Sequence, residues 1–201
     1  MCNDYEQHVL WKLYTETMQA AELGIPSRQS ELDLTQADDI RIGDRGPVIQ
    51  PMGNGVGLAS LKFGFPPKGR GGPVFNMTSD YMKGGVRHLR DFSQSKRCVV
   101  IASAFFEFTG KTYPKAKHRF TLQKAPFLGI AGLYDDDAFT MLTTTPGPDI
   151  EPYHDRQVVV LHPSEFGRWL WFENGAHDLL APMPSGSLAV ETVRHEAIPA
   201  A

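Results

Sequence analysis

The chain has 201 residues, 41% of them hydrophobic and 21% charged, with a net charge of −3. That balance fits one soluble globular unit spanning 1–201 with a sizeable core. No apolar run reaches the roughly 18 residues of a membrane-spanning helix, and no basic stretch followed by an apolar one marks a signal peptide, so a cytoplasmic monomer with no membrane association is expected.

The chain opens Met1-Cys2-Asn3-Asp4. A small residue at position 2 permits removal of the initiator Met, which would leave Cys2 first. An N-terminal Cys carries a thiol and, on the adjacent carbon, an amine with a pKa of about 7.7–8.0. The two together can trap an aldehyde, or the thiol can act as nucleophile with the amine as base. Alone, Cys2 reads equally as an accident of a frayed terminus.

Residues 5–22 place Leu10, Leu13, Tyr14, Met18 and Ala21 on a helical period that Gly24 and Pro26 end. Residues 27–45 are polar and acidic and read as a loop. Short strand-like runs follow at Pro47–Ile49, Val56–Phe65, Arg97–Phe108, His118–Leu122, Phe127–Tyr134, Phe139–Thr144 and Gln157–Leu161, separated by Gly and Pro clusters. Helices are expected over Gly85–Ser95 and Pro163–Phe172, the second with Pro163 in its first turn. Many short strands with few helices predict an α+β fold, an antiparallel barrel-like core with flanking helices. The tail, 196–201, is expected to fray.

Cys2 and Cys98 lie far apart with no zinc spacing, and the seven histidines form no H-x-x-x-H pair. Neither a metal, a cofactor nor a disulfide is expected. Cys98, in the apolar run Arg97–Ile101, reads as a small packing residue. His162 reads as a cap or surface residue, His8 as a surface residue of the first helix, and Trp11, Trp169 and Trp171 as packing aromatics.

Charge is unevenly spread. Lys62, Lys68, Arg70, Lys83, Arg87, Arg90, Lys96 and Arg97 outnumber Asp80 and Asp91 in their segment, and Lys111, Lys115, Lys117 and Arg119 form a second cluster. Such a chain has either an ordinary solvated surface or one basic face for phosphates.

Three polar positions stand out. Glu107 ends a nearly apolar run beside Phe105, Phe106 and Phe108. Buried there, its pKa would rise into the range useful for proton transfer; turned by strand alternation, it would face solvent. His154, with Asp155 and Arg156, falls between two strands on a loop, either a surface turn or a catalytic and phosphate-binding one. Asn76 could cap a helix or hold an N-terminal amine by its side-chain carbonyl.

In order along the chain, several segments resemble the SRAP family, the SOS-response-associated peptidase domains that crosslink to abasic sites in single-stranded DNA. They are Met1-Cys2-Asn3-Asp4, Phe63-Gly64-Phe65-Pro66, Asn76-Met77-Thr78-Ser79-Asp80, the run from Lys96 to Phe108, Ala131-Gly132-Leu133-Tyr134, Leu142-Thr143-Thr144-Thr145 and His154-Asp155-Arg156-Gln157-Val158. The family forms are M-C-G-R, W-G-L-I-P, N-A-R-x-E, R-R-C-L-V-P-x-x-G-F-Y-E-W, A-G-L-W, T-x-x-A-N and H-D-R-M-P. The resemblance covers about residues 2–193.

The resemblance implies a DNA-repair function. The Cys2 amine would form a Schiff base with the ring-opened sugar and its thiol would close a thiazolidine. Asn76 would position Cys2, and Glu107 and His154 would manage the protons. The same Cys2 would serve a peptidase activity, or a lyase-like one. Asp4 and Thr78 stand where the family carries phosphate-gripping Arg residues, and Asp4 is expected to repel phosphate. Arg70, Lys83, Arg87, Arg90 and Arg156 are the candidates to compensate, with Phe63 and Phe65 as stacking residues. Two other classes share these residues: an N-terminal-Cys amidohydrolase, and a non-catalytic single-stranded-DNA-binding domain.

Overall fold

The computed structural model describes residues 2–67, 69–79, 96–173 and 176–197. The strands are β1 (Asp4–Gln7), β2 (Ala37–Arg41), β3 (Arg45–Met52), β4 (Gly55–Phe63), β5 (Asn76–Thr78), β6 (Arg97–Ala102), β7 (Ala104–Thr109), β8 (Ala116–Leu122), β9 (Leu128–Tyr134), β10 (Ala138–Thr144), β11 (Gln157–Val158), β12 (Val160–Leu161) and β13 (Leu188–Arg194). Helices α1 (Trp11–Ala20) and α2 (Phe166–Leu170) flank them. The fold is α+β around a barrel-like core, as the strand pattern predicts.

The barrel closes on itself. β4 pairs with β3, β3 with β6, β6 with β9, β9 with β10, and β10 returns to β4. Four of these contacts are antiparallel; the closing one, Ala138 against Lys62 and Phe139 against Phe63, is parallel. A second, antiparallel sheet runs in the order β13-β8-β7-β1-β2. It carries the amino terminus.

Strand β6 shows why the run at 97–108 reads as nearly apolar. Cys98, Val100 and Ala102 enter one core, with Phe63, Phe105, Phe120 and Phe139, while Val99 and Ile101 enter the other, with Tyr14, Met18 and Trp169. Both faces are covered, so alternation gives way to a continuous hydrophobic string. The run is not one strand. It breaks at Ser103, whose N–H donates to the Glu6 carbonyl at 2.9 Å and whose hydroxyl accepts from the His8 N–H at 2.6 Å. There the chain leaves the barrel for the second sheet. Cys98 packs inside, and its carbonyl accepts the Trp169 indole N–H at 2.9 Å.

Glycine makes the tight crossing of β9 possible. A Cβ on Gly132 would lie 2.9 Å from both Cys98 Sγ and the Thr140 carbonyl. One neighbour is backbone in a paired strand and cannot yield cheaply. Gly132→Ala is expected to cost about 1–3 kcal/mol through overpacking, read from a lowered urea midpoint at unchanged m-value.

The first elements differ from the sequence expectation. The helix begins at Trp11, not at residue 5, and residues 4–7 form β1, inserted between β7 and β2. Burial of Tyr5 in the second core and two flanking strands outweigh the helical period, which Asp4–Gln7 meet only in part. Leu10 is 61% exposed for the same reason, since it caps α1 and leaves its face. The stretch read as a loop at 27–45 contains a capped 3-10 turn at Glu31–Asp33 and β2. β13 was not expected. His162 caps the turn before α2, with Glu165 completing a capping box. The helix expected over Gly85–Ser95 lies outside the described residues.

Candidate active site

Antiparallel pairing of Tyr5 with Phe105 and Glu6 with Ala104 runs β1 back along β7. Residue 2, two positions before β1, is thereby carried to Glu107 near the far end of β7, where the Cys2 backbone N–H comes close enough to the Glu107 carboxylate to favour its charged form. From the other side, Asn76, at the start of β5, donates its Nδ2 hydrogen to the Cys2 carbonyl at 2.8 Å. Asn76 is a strand residue here and not a helix cap. Its Oδ1 is buried and makes no hydrogen bond among the described residues.

Cys2 is thus divided. Its nitrogen meets Glu107, while its thiol turns inward, 1% exposed, and donates to the Asp4 carbonyl at 3.3 Å. Burial, with the neighbouring Glu107 charge adding in the same direction, pushes the thiol up to about 12. Glu107 is itself buried, and burial lifts its carboxyl to about 7, with Asp155 adding in the same direction and the Cys2 N–H opposing. His154 lies between β10 and β11, its Nδ1 accepting the Arg156 N–H at 3.0 Å. Partial burial holds it below the ordinary histidine value, against the pull of Asp155.

Glu107 and His154 open on one cleft of about 590 Å³, lined also by Asn3, Asp4, Arg41, Tyr113, Lys115, Lys117 and Arg194. An acid near 7 and a largely neutral imidazole beside a nitrogen are suited to moving protons on and off a substrate at neutral pH. Among the described residues there is no group of three His, Cys, Asp or Glu side chains that could hold a metal ion.

Asp4 does not face the cleft as a bare charge. It is 3% exposed, and its carboxylate meets Lys117 Nζ at 2.8 Å. Lys117 also grips Asp39 and lies 3.6 Å from the centre of the Phe106 ring. Burial raises Asp4 to about 6, opposed by Lys117, while Asp39 is held low by the same lysine. The repulsion of phosphate expected from Asp4 is therefore largely cancelled by its own counter-ion. Thr78 accepts an Arg156 guanidinium hydrogen at 2.5 Å, and the same nitrogen lies 2.9 Å from the Thr143 carbonyl. Arg156 braces β5 against β10 as well as flanking His154.

Other expected DNA contacts are placed differently. Phe63 is fully buried and stacks on Phe139 with ring centres 5.2 Å apart. A base could reach it only by opening the barrel, so its stacking partner is internal. Phe65 is half-buried and packs against the helix-covered core. Arg70 is exposed but does not line the cleft. Lys83, Arg87 and Arg90 lie outside the described residues. The described cations at the cleft come instead from the second basic cluster, Lys115 and Lys117, joined by Arg41 and Arg194. The alternation Lys115-x-Lys117-x-Arg119 on a strand was the available signal for the first two; nothing local marks Arg41 or Arg194.

An amino-terminal strand, a buried carboxylate and a half-buried histidine thus converge at one place, and the family comparison matches residues 1–198 of the chain with the SOS response associated peptidase (SRAP) family. The chain belongs to the SRAP family. Solved structures similar to this SRAP chain include a phage-related protein from Bordetella bronchiseptica, with a TM-score of 0.72 and 19% identity, covering 96% of this chain and 95% of that one. A second Bordetella bronchiseptica protein gives 0.69 at 21% identity, with 96% and 100% coverage. A Bacteroides thetaiotaomicron protein gives 0.68 at 17% identity, with 94% and 92% coverage. At these identities the likeness is one of fold. No curated protein matches the chain. No helix among the described residues is long and apolar enough to cross a membrane, and the SRAP assignment associates the chain with the DNA-damage response.

Proposed function

We propose that this SRAP chain captures abasic sites in single-stranded DNA by forming a covalent bond through Cys2. The observation that most supports the reading is the approach of the Cys2 nitrogen to Glu107, the carboxylate that opens on a cleft with cationic walls; Cys2 itself lies buried just behind that lining. With Met1 removed, that nitrogen is a primary amine. Neutral, it adds to the C1 aldehyde of the ring-opened sugar, giving a carbinolamine. Protonated Glu107 delivers a proton to the departing hydroxyl, water leaves, and the nitrogen returns its N–H proton to the Glu107 carboxylate, so that an imine remains and the acid is restored. The Cys2 S–H then adds across the C=N bond, sulfur to carbon and proton to nitrogen, closing a thiazolidine. One water is released overall. Asn76 holds the Cys2 carbonyl, which fixes the nitrogen against Glu107. Its buried Oδ1 supplies an acceptor for an N–H of the free amine. His154 is suited to exchange protons with the sugar hydroxyls.

A thiol held near 12 is almost wholly protonated at neutral pH. That favours attack by the amine first and thiol addition second, over the thiolate-first chemistry of an N-terminal-Cys peptidase. The test mixes protein lacking Met1 with an oligonucleotide carrying one abasic site. The expected product survives heat and SDS, and its intact mass is the sum of the partners less one water. Protein retaining Met1 is expected to give none. Hydrolysis of a peptide with no adduct from the Met1-free protein would replace this reading with the peptidase one.

A further inference from the structure

The cleft carries two aromatic side chains that the proposed chemistry does not use, and of these Phe108 is half-buried near the end of its strand while Tyr113 is exposed. Tyr113 sits at the tip of the hairpin joining β7 to β8, whose strands end in the pair Thr109–Ala116. It lines the cleft and is 88% exposed. A single exposed aromatic is ordinary on a protein surface. Here the backbone beneath it is pinned from a distant part of the chain. The Glu196 carboxylate accepts the N–H of Lys111 at 2.5 Å and that of Thr112, and the Ala197 N–H donates to the Pro114 carbonyl at 3.0 Å. Gly110 lets that carboxylate approach, with φ +100° and a position where any Cβ would lie 2.4 Å from it. The segment after β13 thus holds a loop whose main side chain touches solvent. Such fixing reduces the entropy lost when a ligand packs on the ring.

The charges around Tyr113 suit a polyanion. Lys117 is occupied by Asp4 and Asp39, and Arg41 donates to Asp39 at 3.0 Å. Lys115 and Arg194 make no salt bridge within 4 Å among the described residues, are exposed, and are tied together by the Arg194 Nε hydrogen bond to the Lys115 carbonyl at 3.0 Å, with Glu196 the carboxylate near enough to Lys115 to interact with its charge. Resting on the function proposed above, we infer that Tyr113 is the base-stacking platform of the cleft, holding an unpaired base beside the reacting sugar, with Lys115 and Arg194 on its phosphates. An aromatic ring accepts any base face, while unpaired bases are required to reach it. The site therefore selects single strands without reading their sequence.

Binding of an undamaged, fluorescein-labelled oligothymidine, followed by anisotropy, tests this without any crosslinking. Tyr113→Ala is expected to weaken binding roughly 5- to 150-fold, the loss of one stacked base. Tyr113→Phe is expected to bind as the wild type. The slope of log affinity against log salt is expected to be unchanged in Tyr113→Ala and to fall by about 0.7 for each of Lys115→Gln and Arg194→Gln. Because the ring is exposed, the melting temperature of Tyr113→Ala is expected to match the wild type. Equal affinity of Tyr113→Ala and wild type, or no wild-type affinity for the oligothymidine, overturns the inference. Stacking of this kind without an abasic adduct would overturn the proposed reaction alone.

Discussion

Protein carrying Cys2→Ala is expected to give no heat- and SDS-stable product with abasic DNA, yet to be trapped on it by borohydride. The variant keeps an N-terminal amine at Glu107 and loses only the sulfur. It can still form the imine, which hydrolyses back unless reduced. In the proposed reaction the wild type has the second step available, and ring closure would remove the imine from that equilibrium. The structure makes the separation of roles physical. The Cys2 nitrogen lies against a titrating carboxylate, whereas the thiol is buried, held near 12 and bonded to the Asp4 carbonyl. The sulfur must therefore turn from its inward position to reach the imine carbon, and it needs no prior ionisation if the proton travels with it. The measurement is a denaturing gel with and without borohydride, supported by intact mass. A stable Cys2→Ala adduct equal to wild type would assign the bond to another nucleophile. Failure of borohydride trapping in Cys2→Ala would remove the amine-first order.

Much of this arrangement was legible in the chain, and the illegible parts share a cause. The barrel strands announce themselves because β6, β9 and β10 are covered on both faces and so carry few charges, Arg97 apart, with threonine as the main polar residue. Glu107 stands out against that background, and the ordered motif series points to Asn76 and His154 with it. β1 and β2 escape because their residues, such as Asp4, Glu6 and Asp39, are polar for reasons set far away. Lys117 neutralises Asp4 and Asp39, and Arg119 forks onto Glu6. A sequence window sees acidic loop or helix where the fold uses cross-strand ion pairs. The same distance effect misled the reading of Asp4 as a bare repulsive charge. Phe63 failed as a stacking residue because an aromatic beside Gly and Pro looks alike whether its ring points into the barrel or out. Tyr113 gave no signal, since only the tail around Glu196 reveals that its loop is held.

The second large expected effect joins catalysis to stability at Glu107. Replacing it by Gln keeps an acceptor for the Cys2 nitrogen and removes the transferable proton. Adduct formation is expected to slow by about 10²- to 10⁴-fold, the ordinary contribution of a positioned proton donor. The wild-type rate should pass through a maximum between pH 7 and 8. It falls on the acid side as the amine, near 7.7–8.0, becomes protonated, and on the alkaline side as Glu107, near 7, loses its proton. Glu107→Gln should lose the alkaline limb and keep the acid one. Stability moves oppositely. Burial raises the folded-state carboxyl from its ordinary 4.5 to about 7, so the unfolded chain gives up this proton first as pH rises. The folded state is then progressively disfavoured between those values, and the loss is complete above the upper one. At 1.36 kcal/mol per unit the ceiling is on the order of 3 kcal/mol. Asp4, also raised by burial, contributes in the same direction, so the informative quantity is the difference between variant and wild type. Urea unfolding at pH 5 and pH 8 is expected to show Glu107→Gln gaining on the wild type as pH rises, while its adduct rate collapses. A pH-independent difference would mean that Glu107 is ionised across the whole range and cannot supply the proton. Both outcomes together, a stability gain at pH 8 and a slowed reaction in Glu107→Gln, would assign Glu107 to chemistry and not to packing.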